Sequence, residues 1–215
     1  MNTDHDLKKA VLAELDWEPS VGSNHIGVTA NGGVVTLTGH VDSYWQKAAA
    51  ERAVGRVQGV RAIAEEIEVR LPGSVHHNDD DIAKAALDRL NLDNTIPKDA
   101  VKIRVQKGHV TLTGEVPWHY QHDGAAHAIR SLMGVMGISN QITVKKRPDT
   151  SKIQNDIVHA LNRAWFSNDN IKVTANGGEV HLTGSVATWN DRDLAATTAW
   201  RASGTTSVVN ELHVK

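Results

Sequence analysis

Two hydrophobic spacings alternate along the chain and predict its secondary structure. A four-residue spacing of apolar side chains occurs three times, at Leu7, Val11 and Leu15, at Ile82, Ala86 and Leu90, and at Ile153, Ile157 and Leu161. Side chains four residues apart share one face of a helix, so each set predicts an amphipathic helix. Asp81 and Ser151 are candidate N-cap residues for the second and third of these helices.

Apolar side chains at every second residue follow each helix and predict a β-hairpin. In the first hairpin Ile26 and Val28 alternate on the outgoing strand, and Val35 and Leu37 on the return strand. The turn between them reads Asn-Gly-Gly at 31–33 and again at 176–178, and it is replaced by Lys107 and Gly108 in the middle copy. Asn and Gly tolerate the positive φ that short hairpin turns require. Each return strand ends on a glycine, at Gly39, Gly114 and Gly184.

A second helix and a third strand complete each unit. The helices are predicted over about 43–57, 118–132 and 188–202. We expect each to end at a left-handed C′ glycine, at Gly59, Gly134 and Gly204. A helix between the second and third strands implies a crossover, so the sheet should be mixed. Thr36 and Thr38 on the alternate face suit a sheet whose helices cover one side only.

The three units align without a gap from hairpin to last strand, at offsets of 75 and then 70 residues. The predicted fold class is therefore α+β: three tandem αββαβ modules, each a small mixed three-stranded sheet with two helices packed on one face. The predicted modules are 1–72, 78–146 and 149–215, joined by short segments that contain Pro72 and Pro148. A module of this size buries a small core, so we expect the copies to pack against one another or to self-associate.

The repeated hairpin and the closing segment of each unit resemble the BON domain, named for bacterial osmotically inducible and nodulation proteins. The hairpin motif places glycines in the turn, at Gly33, Gly108 and Gly178, and at the end of the return strand. The closing motif runs Gly59, Val60, Ile63, Ile67 and Val69 in the first copy. The third copy departs from it because Thr205 follows Gly204, so we expect a different turn there.

The resemblance implies a binding function and no catalysis. BON domains are held to attach to phospholipid membranes, and they occur in periplasmic osmotic-shock, outer-membrane and transport-associated proteins. One cytoplasmic member pairs a BON domain with a second module to sense potassium, and none is an established enzyme. The leading interpretation is a non-enzymatic, multivalent protein that binds phospholipid surfaces under osmotic or envelope stress. A sensor of potassium ion or of a small ligand, and a self-assembling homo-oligomeric scaffold, are the alternatives.

Composition narrows the classes of partner. The chain has 23 basic and 25 acidic side chains, so it lacks the basic field of a nucleic-acid-binding protein. It has no cysteine, which excludes disulfides and thiolate sites. The Asn-Gly-Gly turns lie between strands and lack the helix N-terminus that cradles phosphate, so no cofactor is predicted. The first residues carry no secretion signal, which indicates a cytoplasmic protein, although a processed periplasmic chain would look the same.

Tryptophans at the ends of predicted elements are the candidate lipid contacts. They are Trp17, Trp45, Trp118, Trp165 and Trp189. Indole rings are amphipathic and favour the bilayer interface, which supports the lipid interpretation. The alternative is that they cap the small cores or fill contacts between modules.

The histidines predict no metal site. His119 and His122 are three residues apart and share a helix face, but we expect Asp123 on another face and His127 to point elsewhere. His76 and His77, beside the aspartates at 79–81, are interpreted as part of a solvated linker.

Overall fold

Each module has the predicted order of two helices and three strands. The computed structural model describes residues 4–71, 78–145, 152–162 and 170–215. The first module contains α1 (Asp4–Trp17), β1 (Ile26–Asn31), β2 (Val34–Val41), α2 (Tyr44–Gly55) and β3 (Ala62–Val69). The second contains α3 (Asp79–Leu92), β4 (Val101–Gln106), β5 (His109–Val116), α4 (His119–Arg130) and β6 (Gly137–Val144). The third contains α5 (Ile153–Asn162), β7 (Ile171–Asn176), β8 (Glu179–Val186), α6 (Trp189–Trp200) and β9 (Ser207–Val214).

The three sheets are mixed, as predicted. In the first module β1 runs antiparallel to β2, with Val28 opposite Leu37. Strand β3 then lies parallel to β2 on its other side, with Ile67 opposite Gly39. The second and third sheets repeat this order, each with its long middle strand between an antiparallel and a parallel neighbour. The crossover through the second helix makes the parallel pairing geometrically feasible.

The core of each module lies between the sheet and its two helices. In the first module Leu7, Val11 and Leu15 of α1 are buried against Val35 and Leu37 of β2. The corresponding residues of the other two modules form equivalent clusters. Truncating a fully buried Leu to Ala in such a core costs about 2–5 kcal/mol. The predicted hydrophobic spacing is therefore confirmed as the core-facing pattern.

Two sets of glycines adopt conformations that other residues avoid. The predicted positive φ of the hairpin turn is present at Gly32 (58°) and Gly33 (83°), and in the second module at Lys107 (50°) and Gly108 (73°). At the end of the return strand, a β-carbon built on Gly39 would lie 1.9 Å from the carbonyl oxygen of His25. Gly114 and Gly184 approach a backbone carbonyl equally closely. These glycines are required because the backbone packs against them.

The glycines after the second helices are left-handed but do not cap them. Helix α2 ends at Gly55, four residues before Gly59, and its C-cap is Arg56. The φ of Gly59 is 95°, and Gly134 and Gly204 match it in the other modules. Val57, in the intervening turn, and Val60, directly after Gly59, are both buried, which extends the core beyond the helix. The C′ assignment was wrong, although the left-handed conformation was predicted correctly.

Three other local expectations need correction or lie outside the described residues. Helix α3 begins at Asp79 and is capped by Asn78, whose side chain accepts the amide proton of Asp81, so Asp81 is not the cap. The turn at Gly204 is not different: Thr206 donates to the Gly178 carbonyl as Arg61 does to Gly33. Ser151, Pro72, Pro148, His76 and His77 lie outside the described residues.

Among the described helices, none has the length and apolar character needed to cross a membrane. The module bounds 1–72, 78–146 and 149–215 stay a prediction.

Candidate functional site at the junction of the modules

The second helices of the three modules meet one another through equivalent residues. Their first residues are Tyr44, His119 and Trp189. Tyr44 packs against the cores of both the first and the second module. The ring of His119 stacks on Trp200 of the third module, with centroids 4.1 Å apart and planes at 14°. Trp189 packs against the core of the first module. Each helix start therefore contacts the next module.

These contacts follow one cyclic order. The residue that His119 meets, Trp200, is the last residue of α6. Trp189 lies beside Gly55, the last residue of α2. A β-carbon built on Gly55 would be 3.6 Å from the Cβ of Trp189. Tyr44 lines a cavity with Arg130, the last residue of α4. The first module contacts the second, the second the third and the third the first, which describes a closed ring.

A cavity of about 460 Å³ lies where the first and third modules meet and includes Arg130 from the second. Its lining combines Tyr44, Arg52, Arg130, Trp189 and Asp193. The Nε of Arg130 and the indole Nε1 of Trp189 are buried without an acceptor among the described residues. Partial burial, helped by the nearby charge of Arg130, lowers the pKa of Arg52.

A cluster of two histidines and an aspartate lies at the start of α4. His119 Nδ1 is 3.2 Å from Asp123 Oδ2, and His122 Nδ1 is 2.8 Å from Asp123 Oδ1. The two imidazoles stack with their centroids 4.9 Å apart. Burial raises the pKa of Asp123, but hydrogen bonds from both histidines and their charge outweigh it and hold that pKa well below its usual range. The expectation that Asp123 points to another face was wrong, because residues four apart return to the same face.

The predicted tryptophans occupy different environments. Trp45 meets His127 of the second module edge-on at 5.6 Å, and Arg52 lies over its ring at 5.4 Å. Trp118 is half-buried and lines a cavity with Trp200. Trp17 is the last residue of α1 and is 83% exposed. Trp165 lies outside the described residues. Trp45 and Trp189 therefore fill contacts between modules, which was the alternative interpretation.

The sequence analysis did not identify Trp200, Arg52 or Arg130 as residues of this junction. Arg130 and Trp200 are the final residues of their helices, eleven positions after His119 and Trp189 respectively. Their equivalent in the first module is Gly55, so no conserved residue type marks the position along the three copies. Two spacings in the sequence point to the histidine cluster: three residues from His119 to His122, and four from His119 to Asp123.

A family model described as the BON domain matches three stretches of the chain, residues 3–70, 78–146 and 149–215. These matches account for nearly the whole sequence and coincide with the three modules described above.

One relative and two solved structures are similar to large parts of the chain. Osmotically-inducible protein Y of Escherichia coli (strain K12) is 30% identical over 141 residues, which are 64% of this chain and 69% of that protein. The solved structure of CdsD, a structural protein of the type III secretion system of Chlamydia trachomatis, matches with a TM-score of 0.26 and 15% identity over 98% of this chain and 92% of that one. A structure described as its C-terminal domain gives a TM-score of 0.28 with 16% identity, over 98% of both chains.

Proposed function

Since the chain belongs to the BON domain family, we propose that it is a non-enzymatic protein that associates with phospholipid membrane surfaces through several modules at once. The similarity to a protein named for osmotic induction supports a setting of osmotic or envelope stress. Multivalent attachment suits three linked copies, because each further contact occurs at the high effective concentration that the chain imposes.

The observation that carries this proposal is a pair of exposed apolar side chains at equivalent positions. Trp17 and Leu92 are the last residues of α1 and α3, and each is 83% exposed. The corresponding residue of the third module is Arg163, which is not apolar and lies outside the described residues. The cyclic order of the modules favours equivalent residues at one level along the ring axis, which suits simultaneous contact with a flat surface.

Insertion of these side chains accounts for attachment better than charge does. We call Trp17 and Leu92 the helix tips. Removing a Trp or Leu side chain from water contributes about 2 kcal/mol to binding, so one helix tip alone binds weakly and reversibly. The chain has 23 basic and 25 acidic side chains, so its attraction to anionic lipids is small. We therefore expect binding that persists in salt and depends on more than one tip.

Vesicle flotation tests the proposal. The purified protein is floated with phosphatidylcholine vesicles and with vesicles that also contain phosphatidylglycerol, at low and high salt, while tryptophan emission is followed. We expect co-flotation with both vesicles and a blue shift of the emission. A Leu92→Ser variant should float less but keep the blue shift, whereas Trp17→Ser with Leu92→Ser should lose both.

Met133→Ser is the matched control, because Met133 is a 65% exposed apolar side chain in the turn after α4 and is not a last residue of α1 or α3. It should float like the unaltered protein. The proposal fails if the unaltered protein stays at the bottom of the gradient with unshifted emission. Equal losses from Met133→Ser and from the double substitution would show that the helix tips are not the contact.

A further inference from the structure

The histidine cluster at the start of α4 has the composition of a metal site. His119, His122 and Asp123 each offer a ligand atom, and these atoms lie within 4.8 Å of one another. The histidine side chains are largely buried, with 16% and 23% exposed, whereas that of Asp123 is 53% exposed and open to entry. All three belong to one helix, so their spacing is fixed by a rigid element.

The residues equivalent to His122 in the other two modules hydrogen-bond through their side chains to the last strand. Lys47 of the first module donates to the Ile67 carbonyl at 2.7 Å, and Arg192 of the third donates to the Leu212 and Asn210 carbonyls. These bonds tie the second helix to the last strand. In the second module Asn140 donates to the His122 carbonyl, as Asn210 does to the Arg192 carbonyl in the third. The His122 imidazole itself pairs with Asp123.

We propose that His119, His122 and Asp123 bind one divalent transition-metal ion. Two imidazole nitrogens and one carboxylate oxygen form a borderline ligand set that suits Zn²⁺, Co²⁺ or Ni²⁺ and disfavours Ca²⁺ and Mg²⁺. The ion takes the place of the two hydrogen bonds between the imidazoles and the carboxylate, after small rotations of the side chains. Three protein ligands leave a fourth position for water.

The fourth position faces the third module. A cavity of about 650 Å³ borders the cluster and is lined on its far side by Asp193, Thr197 and Trp200. Because His119 stacks on Trp200, a bound ion fixes the imidazole in the orientation that this stacking needs. Coordination also makes the ring electron-poor, which strengthens its attraction to the indole. The ion therefore stabilises the contact between the second and third modules.

Titration of the tag-free full chain tests the site. We expect saturable binding of one Zn²⁺ per chain in calorimetry, visible absorption bands with Co²⁺, and quenching of tryptophan emission by Co²⁺. Trp200→Phe should keep the calorimetric binding and lose most of the quenching. His122→Lys and Asp123→Ala install the residues that the first module carries at these positions, so the fold should tolerate them. Each should weaken the affinity for Zn²⁺ at least about tenfold.

His181→Ala is the matched control, because His181 also pairs with a carboxylate, that of Glu179 at 3.3 Å, outside the cluster. Its affinity for Zn²⁺ should equal that of the unaltered protein. The assignment is overturned if the unaltered chain shows no saturable binding. It is equally overturned if His122→Lys and His181→Ala bind the ion alike.

Discussion

At the scale of single residues, the glycines that look alike in the sequence serve two different purposes. Gly32 needs only its positive φ, since nothing lies within 4 Å of a β-carbon built there. Gly39 has a positive φ and also lies against the carbonyl oxygen of His25. The hairpin alone explains the first glycine, whereas the second depends on how the segment before β1 returns to the sheet.

This difference predicts unequal costs for the same substitution. Gly32→Ala should lower the free energy of unfolding by about 1 kcal/mol, the cost of a left-handed alanine. Gly39→Ala should cost about 3 kcal/mol or more, because the new methyl group displaces backbone that cannot give way. Urea unfolding followed by far-ultraviolet circular dichroism measures both. Equal losses would show that the close approach to His25 relaxes easily.

At the scale of elements, hydrophobic spacing was sufficient to predict the helices, the strands and the mixed sheets. The spacing of apolar residues is a local property of the sequence, and the residues that it selects in α1, Leu7, Val11 and Leu15, are all buried in the core. The ends of α2 were less predictable, because the helix stops at Gly55 and a tight turn continues the burial to Val60. The contacts between modules were not predictable in detail. Gly55, Arg130 and Trp200 are the last residues of the three second helices, but their side chains have no chemical property in common.

The start of α3 shows how one element supports another. Both carboxylate oxygens of Asp79 accept backbone amide protons, from Lys107 at 2.8 Å and from Gly108 at 2.9 Å, in the turn between β4 and β5. The bond from Gly108 and then that from Lys107 lower the pKa of Asp79. The negative charge therefore holds the hairpin turn against the helix.

Stability should depend on pH through Asp79 in a defined direction. Because the pKa is lower in the folded chain, the stabilisation is fully present above the unfolded-state pKa of about 4 and is lost as the pH falls through the folded-state value. The urea midpoint of Asp79→Ala should lie below that of the unaltered protein at neutral pH, and the two should converge in acid. Asp80→Ala removes a charge from the same helical turn but neither of the two hydrogen bonds of Asp79, so it should lower the midpoint less at neutral pH.

At the scale of the whole molecule, the third module helps to stabilise the first. Trp189 begins α6, yet its ring packs against the core that α1, α2 and the first sheet build. The two helices lie close at this point, since a β-carbon built on Gly55 would be 3.6 Å from the Cβ of Trp189, an ordinary contact distance. The module cores are therefore not independent, although each has its own sheet.

Trp189→Ala should loosen a module that is distant in sequence. We expect faster hydrogen exchange at the backbone amides of α2 and a loss of about 2 kcal/mol in the free energy of unfolding, since the ring is half-buried. Trp17→Ala, an equally large truncation at an exposed site within the first module, should leave α2 unchanged. Faster exchange confined to the third module, with α2 unchanged, would contradict the shared packing.

The cyclic order of the contacts has a consequence for assembly. A head-to-tail contact between repeats can continue without limit and produce filaments, unless the rotation between copies closes the series. Here the series closes after three copies, because Trp189 of the last module meets the first. The surfaces through which one module contacts the next are therefore all buried within one polypeptide, and among the described residues none is left to bind a further chain. A natural or engineered chain cut to two modules would expose one face at each end and could grow into polymers.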